Sequence, residues 1–237
     1  MLTTLLKRSW LFIRSIRDPR LRSEIFTRIQ YSDRHYQGVT YTRFNRFPVL
    51  FSQCEAALKH IANPHIISFG CSTGEEVFSL AEYMPHAKIT GVDINKWCLK
   101  QCNKQNKNKN LSFINRVSQE YDKLDNVDAL FCLAVFQRSE NRVNNLIKID
   151  KGLTFQRFEK EMSILDKKLK VGGLLFLDHC DFRFEDTVTA SNYQSFEFEK
   201  SERFRNRPLF GKNNEIISMD HCLKRVFIKQ KEQLYID

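Results

Sequence analysis

The chain has 237 residues, 42% of them hydrophobic and 28% charged, a composition that excludes a mainly disordered or fibrous protein. No apolar run approaches the roughly 20 residues of a membrane-spanning helix, and a chain this long needs no disulfide staple to bury a core. The net charge of +10 is uneven: residues 1–47 hold ten basic and three acidic side chains, a field that attracts anionic partners or is simply a solvated face.

Residues 1–17 carry four basic side chains among Leu5, Leu6, Trp10, Leu11, Phe12 and Ile16. That pattern suits a docked or surface-lying amphipathic helix better than a cleaved presequence. Helical patterning continues to residue 60, broken by polar residues around Ser32–Thr42. The domain boundary is expected near residue 60, with a basic helical extension or lid over 1–60 and a larger domain over 61–237. Beyond Asn63-Pro64 the pattern alternates. Ile66–Phe69, Lys88–Val92, Leu111–Val117, Ala129–Leu133, Leu174–Asp178 and Cys222–Ile228 read as strands. Glu75–Met84, Asn95–Cys102 and the stripe Phe155, Phe158, Met162, Leu165, Leu169 read as helices, the last ended by Val171-Gly172-Gly173 as a glycine cap. Strands alternating with helices predict an α/β fold with a mostly parallel sheet. The seven cysteines are odd in number and contain no CxxC pair. Cys98 and Cys102 make half a ligand set without a second half, so no metal site is expected. Free thiols in a reducing, cytoplasmic setting are the expectation.

The segment IISFGCSTGEEVFSLAEYMPHAKITGVDIN, residues 66–95, concentrates the chemistry. A buried strand turns through Gly70-Cys71-Ser72-Thr73-Gly74 into a helix, the context of a nucleotide-binding turn. Nineteen residues after Gly74, at the end of the next strand, stands Asp93, where an acid can accept from both ribose hydroxyls. The helix opens with Glu75-Glu76. Two carboxylates there repel a pyrophosphate and favour a ligand bearing a cation, such as the ammonium of a methionyl group.

This segment resembles motif I and the following acid of class I S-adenosylmethionine (SAM)-dependent methyltransferases, and CSTGEE is similar to the variant in CheR-like methyltransferases. VDALFCLAVFQR (127–138) resembles the fourth-strand motif of that superfamily, and FEKEMSILDKKLKVGGLLFLDHCDF (158–182) its helix, GG turn and fifth strand. The resemblance spans about residues 64–182. It implies a Rossmann-like seven-stranded sheet with helices on both faces and SAM as cofactor. Ser68 and Ser72 depart from the commonest pattern towards the CheR-like variant. No Asn/Asp-Pro-Pro-Tyr/Phe motif follows the fourth strand, which speaks against base-amino methylation. The CheR N-terminal region has no match in residues 1–60, so a glutamate acceptor does not carry over.

By the resemblance, Gly70, Cys71, Ser72, Thr73 and Gly74 would cradle the methionyl part, with Glu76, ahead of Glu75, on its ammonium. Asp93 would hold the ribose, Ile94 would pack on the adenine, and Ser118 or Gln119 could meet the adenine amino group. Leu133, Phe136, Gln137 and Arg138 would line the transfer end. Arg138 would clamp an anionic acceptor or pair at the surface, and His179 would serve as a base or as a structural residue. Residues 32–50, with Tyr36, Tyr41, Phe44 and Phe47 among Arg34, Arg43 and Arg46, read as a lid or as a packed extension. The basic and aromatic stretch Phe196–Arg207 could border the same cleft. The expected activity is methyl transfer to an O or N nucleophile of a small molecule. The rivals are RNA or protein acceptors docked through the basic residues 1–47, with peripheral membrane contact open, and a SAM-binding regulator without catalysis.

Overall fold

Strand β1 (His65–Phe69) is short, apolar and buried, as strands covered on both faces are. It pairs in parallel with β2 (Lys88–Asp93) and with β4 (Val127–Leu133). Strand β2 pairs in parallel with β3 (Leu111–Asn115), and β4 with β5 (Leu169–Asp178). Strand β9 (Val226–Lys229) runs antiparallel to β5 and to β6 (Tyr193–Ser195), closing a seven-stranded sheet of order β3-β2-β1-β4-β5-β9-β6. The computed structural model describes residues 15–38, 40–138, 141, 146–196 and 203–232. Most of the amphipathic stretch 1–17 and residues 197–202 of the basic stretch lie outside them.

Alternate residues of each strand face two cores. Ile67, Leu130 and Leu175 join α6 (Phe155–Asp166), whose Phe158, Met162 and Leu165 form the predicted stripe. Ile66, Ile89 and Phe131 face the other way. There they meet Leu50, Phe51 and Cys54 of α2 (Pro48–Leu58), Val77 and Leu80 of α3 (Glu75–Tyr83), and Leu99 and Cys102 of α4 (Lys96–Gln105). Phe131 and Phe176, cross-strand partners in β4 and β5, stack with centroids 4.3 Å apart. Helix α1 (Pro19–Gln30) starts on an Asp18 cap, and the four-residue α5 (Gln119–Asp122) on a Ser118 cap. The Asn/Lys turn after α4 is built from side-chain–backbone bonds, Asn106 Oδ1 accepting from the Asn108 amide and Asn108 Oδ1 from that of Asn110, each at 2.9 Å.

Three features differ from the sequence reading. Val171-Gly172-Gly173 does not cap α6, which ends at Asp166. It lies inside β5, where Val127 pairs with Leu169 but Ala129 with Leu174, and the left-handed Gly172 (φ +80°) takes up the excess as a bulge. The expected last strand, Cys222–Ile228, is two strands broken at 223–225: β8 (Ile216–Cys222) and β9. Strand β8 pairs with β7 (Arg203–Phe210) in a hairpin, inserted between β6 and β9, that the sequence reading missed. Among the described residues no helix is long and apolar enough to cross a membrane.

Candidate active site

The strand order reverses between β1 and β4, the switch point where open α/β sheets bind ligands beyond the carboxyl ends of their strands. A cavity of about 270 Å³ lies there. Its strand-side wall comes from Gly70, Cys71 and Ser72 after β1, Asp93 and Ile94 at the end of β2, Arg116 after β3, and Leu133, Ala134 and Val135 after β4. The segment between α1 and α2 forms the facing wall, with Tyr36, Gln37, Tyr41, Arg43, Arg46 and Phe47.

Backbone geometry is unusual around this rim. Ser72, Ala134 and His179, which follow β1, β4 and β5, all have positive φ (50°, 62° and 54°), a conformation that costs non-glycine residues free energy and concentrates at functional sites. Gly70 is left-handed at φ +77°, and a Cβ there would fall 2.6 Å from Val135 Cγ2. Glycine therefore lets the β1 and β4 loops meet.

Asp93 receives the Ser72 amide on Oδ2 at 2.8 Å and the Asn95 amide on Oδ1 at 2.7 Å. Both oxygens keep acceptor capacity, as ribose hydroxyls require. Burial raises its pKa against these backbone donors. Glu76 accepts from Ser68 Oγ at 2.8 Å. Burial pushes its carboxyl up to about 7, opposed by that hydroxyl and by the charge of Arg46. Glu75 is engaged elsewhere, taking the Thr73 hydroxyl at 2.7 Å. Glu76, Asp93, Ile94, Leu133 and the Gly70–Ser72 backbone thus meet at one cavity, whereas Thr73 and Gly74 stand outside its lining. Gly74 is left-handed at the start of α3, and a Cβ there would crowd Phe78 at 2.9 Å. Ser118 is committed to capping α5, and neither it nor Gln119 lines the cavity.

Arg138 and His179 also lie outside the lining. Arg138 Nη2 donates to the His35 carbonyl at 2.9 Å, tying the loop after β4 to the segment ahead of α2. His179 Nδ1 is 2.8 Å from Asp178 Oδ1, and its ring meets Phe47 edge-on at 5.5 Å. Asp178 is buried, which raises its pKa, but His179 and Arg225 together bring it below the ordinary carboxylate value. Gln137 lines the cavity and accepts from Arg207 of the β7–β8 hairpin, so the basic stretch ending at Arg207 does reach the site's edge.

Several functional contacts escaped the sequence reading. Arg116 binds both oxygens of Glu161, at 2.8 and 2.9 Å from Nη2, and lies over the Tyr121 ring at 4.4 Å. The facing wall is fastened at several points: Ser72 Oγ donates to the Thr40 carbonyl at 2.9 Å, Gln37 Nε2 to the Ala134 carbonyl at 3.2 Å, and the Asn45 amide to Ser79 Oγ at 2.8 Å. Among the described residues no group of three or more side chains could hold a metal ion.

A family of methyltransferase domains matches residues 61–232. A comparison with curated proteins gave no match. Solved structures with a similar arrangement include the plantazolicin methyltransferase BpumL in complex with a monoazolic desmethylPZN analog and SAH (16% identity, 69% of this chain and 55% of that one, TM-score 0.40). PKMT2 from Rickettsia typhi in complex with AdoHcy is another (18%, 58% and 26%, TM-score 0.41), as is coclaurine N-methyltransferase bound to N-methylheliamine and SAH (14%, 55% and 34%, TM-score 0.40). The chain spans a little over half the length of the plantazolicin enzyme. With its family match over well more than half the sequence and its Rossmann-like sheet, the chain belongs to the methyltransferase-domain family of class I SAM-dependent methyltransferases.

Proposed function

We propose that the chain binds SAM in the cavity at the switch point and transfers its methyl group to an oxygen or nitrogen of a small-molecule acceptor. The observation that carries this reading is enclosure: Glu76, Asp93 and the Gly70–Ser72 turn share one cavity with the aromatic and basic segment between α1 and α2. Its volume of about 270 Å³ falls just below the usual range of small-molecule pockets, about 300–1,000 Å³. The segment acts as a lid, and the extension 1–60 is its carrier.

When bound, SAM supplies an already activated sulfonium methyl. The residues have only to place and shield it, since alignment can supply much of the rate. Asp93 accepts the ribose hydroxyls, Ile94 covers the adenine, Glu76 holds the ammonium and the turn backbone packs against the methionyl chain. Leu133 and Phe47 exclude water from the transfer end. Arg138 positions the lid through His35. His179, held by Asp178 and packed edge-on against Phe47 outside the cavity, supports Phe47 from behind.

Calorimetric titration of the full chain with SAM and S-adenosylhomocysteine, repeated on Asp93→Ala, tests the cofactor site. Micromolar binding that weakens at least tenfold in the variant supports it. A folded wild-type chain that binds neither ligand rejects it. A small-molecule acceptor screen with labelled SAM tests the acceptor class. Salt-sensitive transfer to RNA or protein, weakened by charge reversal at Arg17 and Arg22, would move the assignment to a macromolecular acceptor.

A further inference from the structure

The charged side chains that line the cavity are four arginines, Arg34, Arg43, Arg46 and Arg116, and three carboxylates, Glu24, Glu76 and Asp93. Most of them have a counterpart. Arg116 is neutralised by Glu161. Glu24 accepts from Arg20 Nε at 3.2 Å and from Thr40 Oγ1 at 2.7 Å. Glu76 and Asp93 face the cofactor in the reading above, and the charge of Arg46 acts on Glu76. Arg34 and Arg43 are left over. Among the described residues the Arg43 side chain has no hydrogen bond, ion pair or ring contact. Arg34 has only its neighbour Asp33, 3.6 Å away, in a pair whose side chains are 49% and 76% exposed, and such a pair contributes little. Both arginines are exposed, so they stand where the cavity opens to solvent, with guanidinium donors to spare.

A bound cofactor sharpens the imbalance. With ammonium, sulfonium and carboxylate, SAM carries a net positive charge into a lining where cations already outnumber carboxylates. A second ligand entering that field is favoured when it is an anion, and the guanidinium fork matches the paired oxygens of a carboxylate or a phosphate. We infer that the methyl acceptor is an organic anion, a carboxylate or a phosphate monoester, whose charged group is read by Arg34 and Arg43 while a separate hydroxyl or amine meets the methyl. In the transfer the methyl–sulfur bond of the sulfonium breaks and a methyl–oxygen or methyl–nitrogen bond forms. The bonding pair stays on sulfur, giving S-adenosylhomocysteine, and the nucleophile's proton leaves to solvent. This rests on the proposal that the cavity binds SAM and methylates a small molecule. The sequence reading offers Arg138 as the anion clamp, but Arg138 holds the His35 carbonyl and stands outside the lining. The structure moves that role to the segment between α1 and α2.

Matched pairs of probes test the charge. Hydroxy- and amino-substituted carboxylates are each compared with their primary amide, and hydroxyalkyl and aminoalkyl phosphate monoesters with the unphosphorylated alcohol. Affinity is measured on the full chain saturated with sinefungin, whose amine supplies a cation where SAM has its sulfonium, and transfer is measured with labelled SAM. The best anion is expected to bind at least about tenfold more tightly than its uncharged partner, the range of a charge-assisted contact. The half of the panel in which it falls identifies the group as carboxylate or phosphate. Arg34→Gln and Arg43→Gln should each lower that ratio at least about threefold. Arg28→Gln removes the same charge from α1, outside the lining, and should leave the ratio unchanged. SAM affinity should stay within about threefold in all three variants, which separates an acceptor role from a cofactor role. A panel in which no anion out-binds its uncharged partner overturns the inference. So does a preference that survives both lining substitutions, or one that Arg28→Gln lowers as much. A wild type that binds SAM without preferring anions rejects this inference alone, whereas one that does not bind SAM rejects the cofactor reading and this inference with it.

Discussion

Tyr36 and Glu161, 125 residues apart in the chain, are joined by a 2.7 Å hydrogen bond from the tyrosine hydroxyl to the carboxylate. The same carboxylate holds Arg116 through both oxygens, and Glu161 and Arg116 are only 2% and 6% exposed. A residue of the facing wall, a cavity-lining cation and a core helix are thereby tied at one point. Glu161→Gln leaves the Arg116 charge buried without its counter-ion and should cost about 3–5 kcal/mol. Tyr36→Phe removes one bond to a charged acceptor and should cost about 1.5–3 kcal/mol. Urea midpoints at unchanged slope measure both. Near-neutral effects would mean that solvent or a rearranged partner satisfies Arg116.

Glu76 should make both stability and cofactor affinity depend on pH, with opposite signs. Burial raises its carboxyl to about 7 in the ligand-free protein, against the Ser68 hydroxyl and the Arg46 charge. A carboxyl raised by folding binds protons more tightly in the native state. The ligand-free protein is then most stable below the ordinary carboxylate value, and stability falls as pH climbs from there towards 7. Glu76→Gln should flatten that slope. Cofactor binding needs the ionised form to meet the ammonium, so affinity should rise with pH up to about 7, by at most about tenfold per unit. A proton should be released on binding below that pH. Titrations in buffers of different ionisation heat count it, and proton uptake on binding would contradict the assignment.

Two glycines separate crowding from backbone strain. Gly70 and Gly172 have similar φ, +77° and +80°, but an added Cβ meets Val135 at 2.6 Å in the first case and nothing within 4 Å in the second. Gly172→Ala should cost only the left-handed conformation, about 1–2 kcal/mol. Gly70→Ala adds a clash at the cavity wall, so it should cost more and also weaken cofactor binding. Equal stability losses, with binding intact in both, would show that Val135 yields freely.

The sheet could be read from the chain because β1, β2 and β4 are covered on both faces and so appear as short, mainly apolar segments bounded by turn residues. The bulge in β5 could not. A Gly-Gly pair just after an amphipathic helix looks like a cap, and only the pairing of Leu169 with Val127 shows that the strand has already begun. In the β7–β8 hairpin, β7 was hidden by its arginines and Pro208. That Glu76 and Asp93 would meet at one cavity could be read from the chain because they follow β1 and β2 at the spacing of a strand–turn–helix nucleotide site. The place of Arg116 there could not, since its partner is 45 residues away and a lone arginine reads as surface. A signal was available in α6: Glu161 falls on the stripe of Phe158 and Leu165, and a carboxylate on a buried face calls for a cation.

The cysteines offer a test of the turn that needs no substitution at the cavity. Six are buried and Cys222 is exposed, and burial raises the thiols of Cys54, Cys98 and Cys180. A thiol reagent should therefore modify one cysteine quickly in the native protein and all seven after unfolding, with Cys222→Ser abolishing the fast phase. Cys98 and Cys102 gather at Ser72: the Cys102 thiol donates to the Ser72 carbonyl at 3.2 Å, and Cys98 Sγ lies 4.0 Å from Ser72 Oγ. Their exposure requires the turn to open. A ligand held by that turn should slow the modification of these two by the factor [L]/Kd at saturation, while leaving Cys54, on the buried face of α2, less affected. Peptide mapping of the modified sites with and without SAM distinguishes the cases. Uniform protection of all buried thiols would indicate stabilisation of the whole domain rather than of the turn.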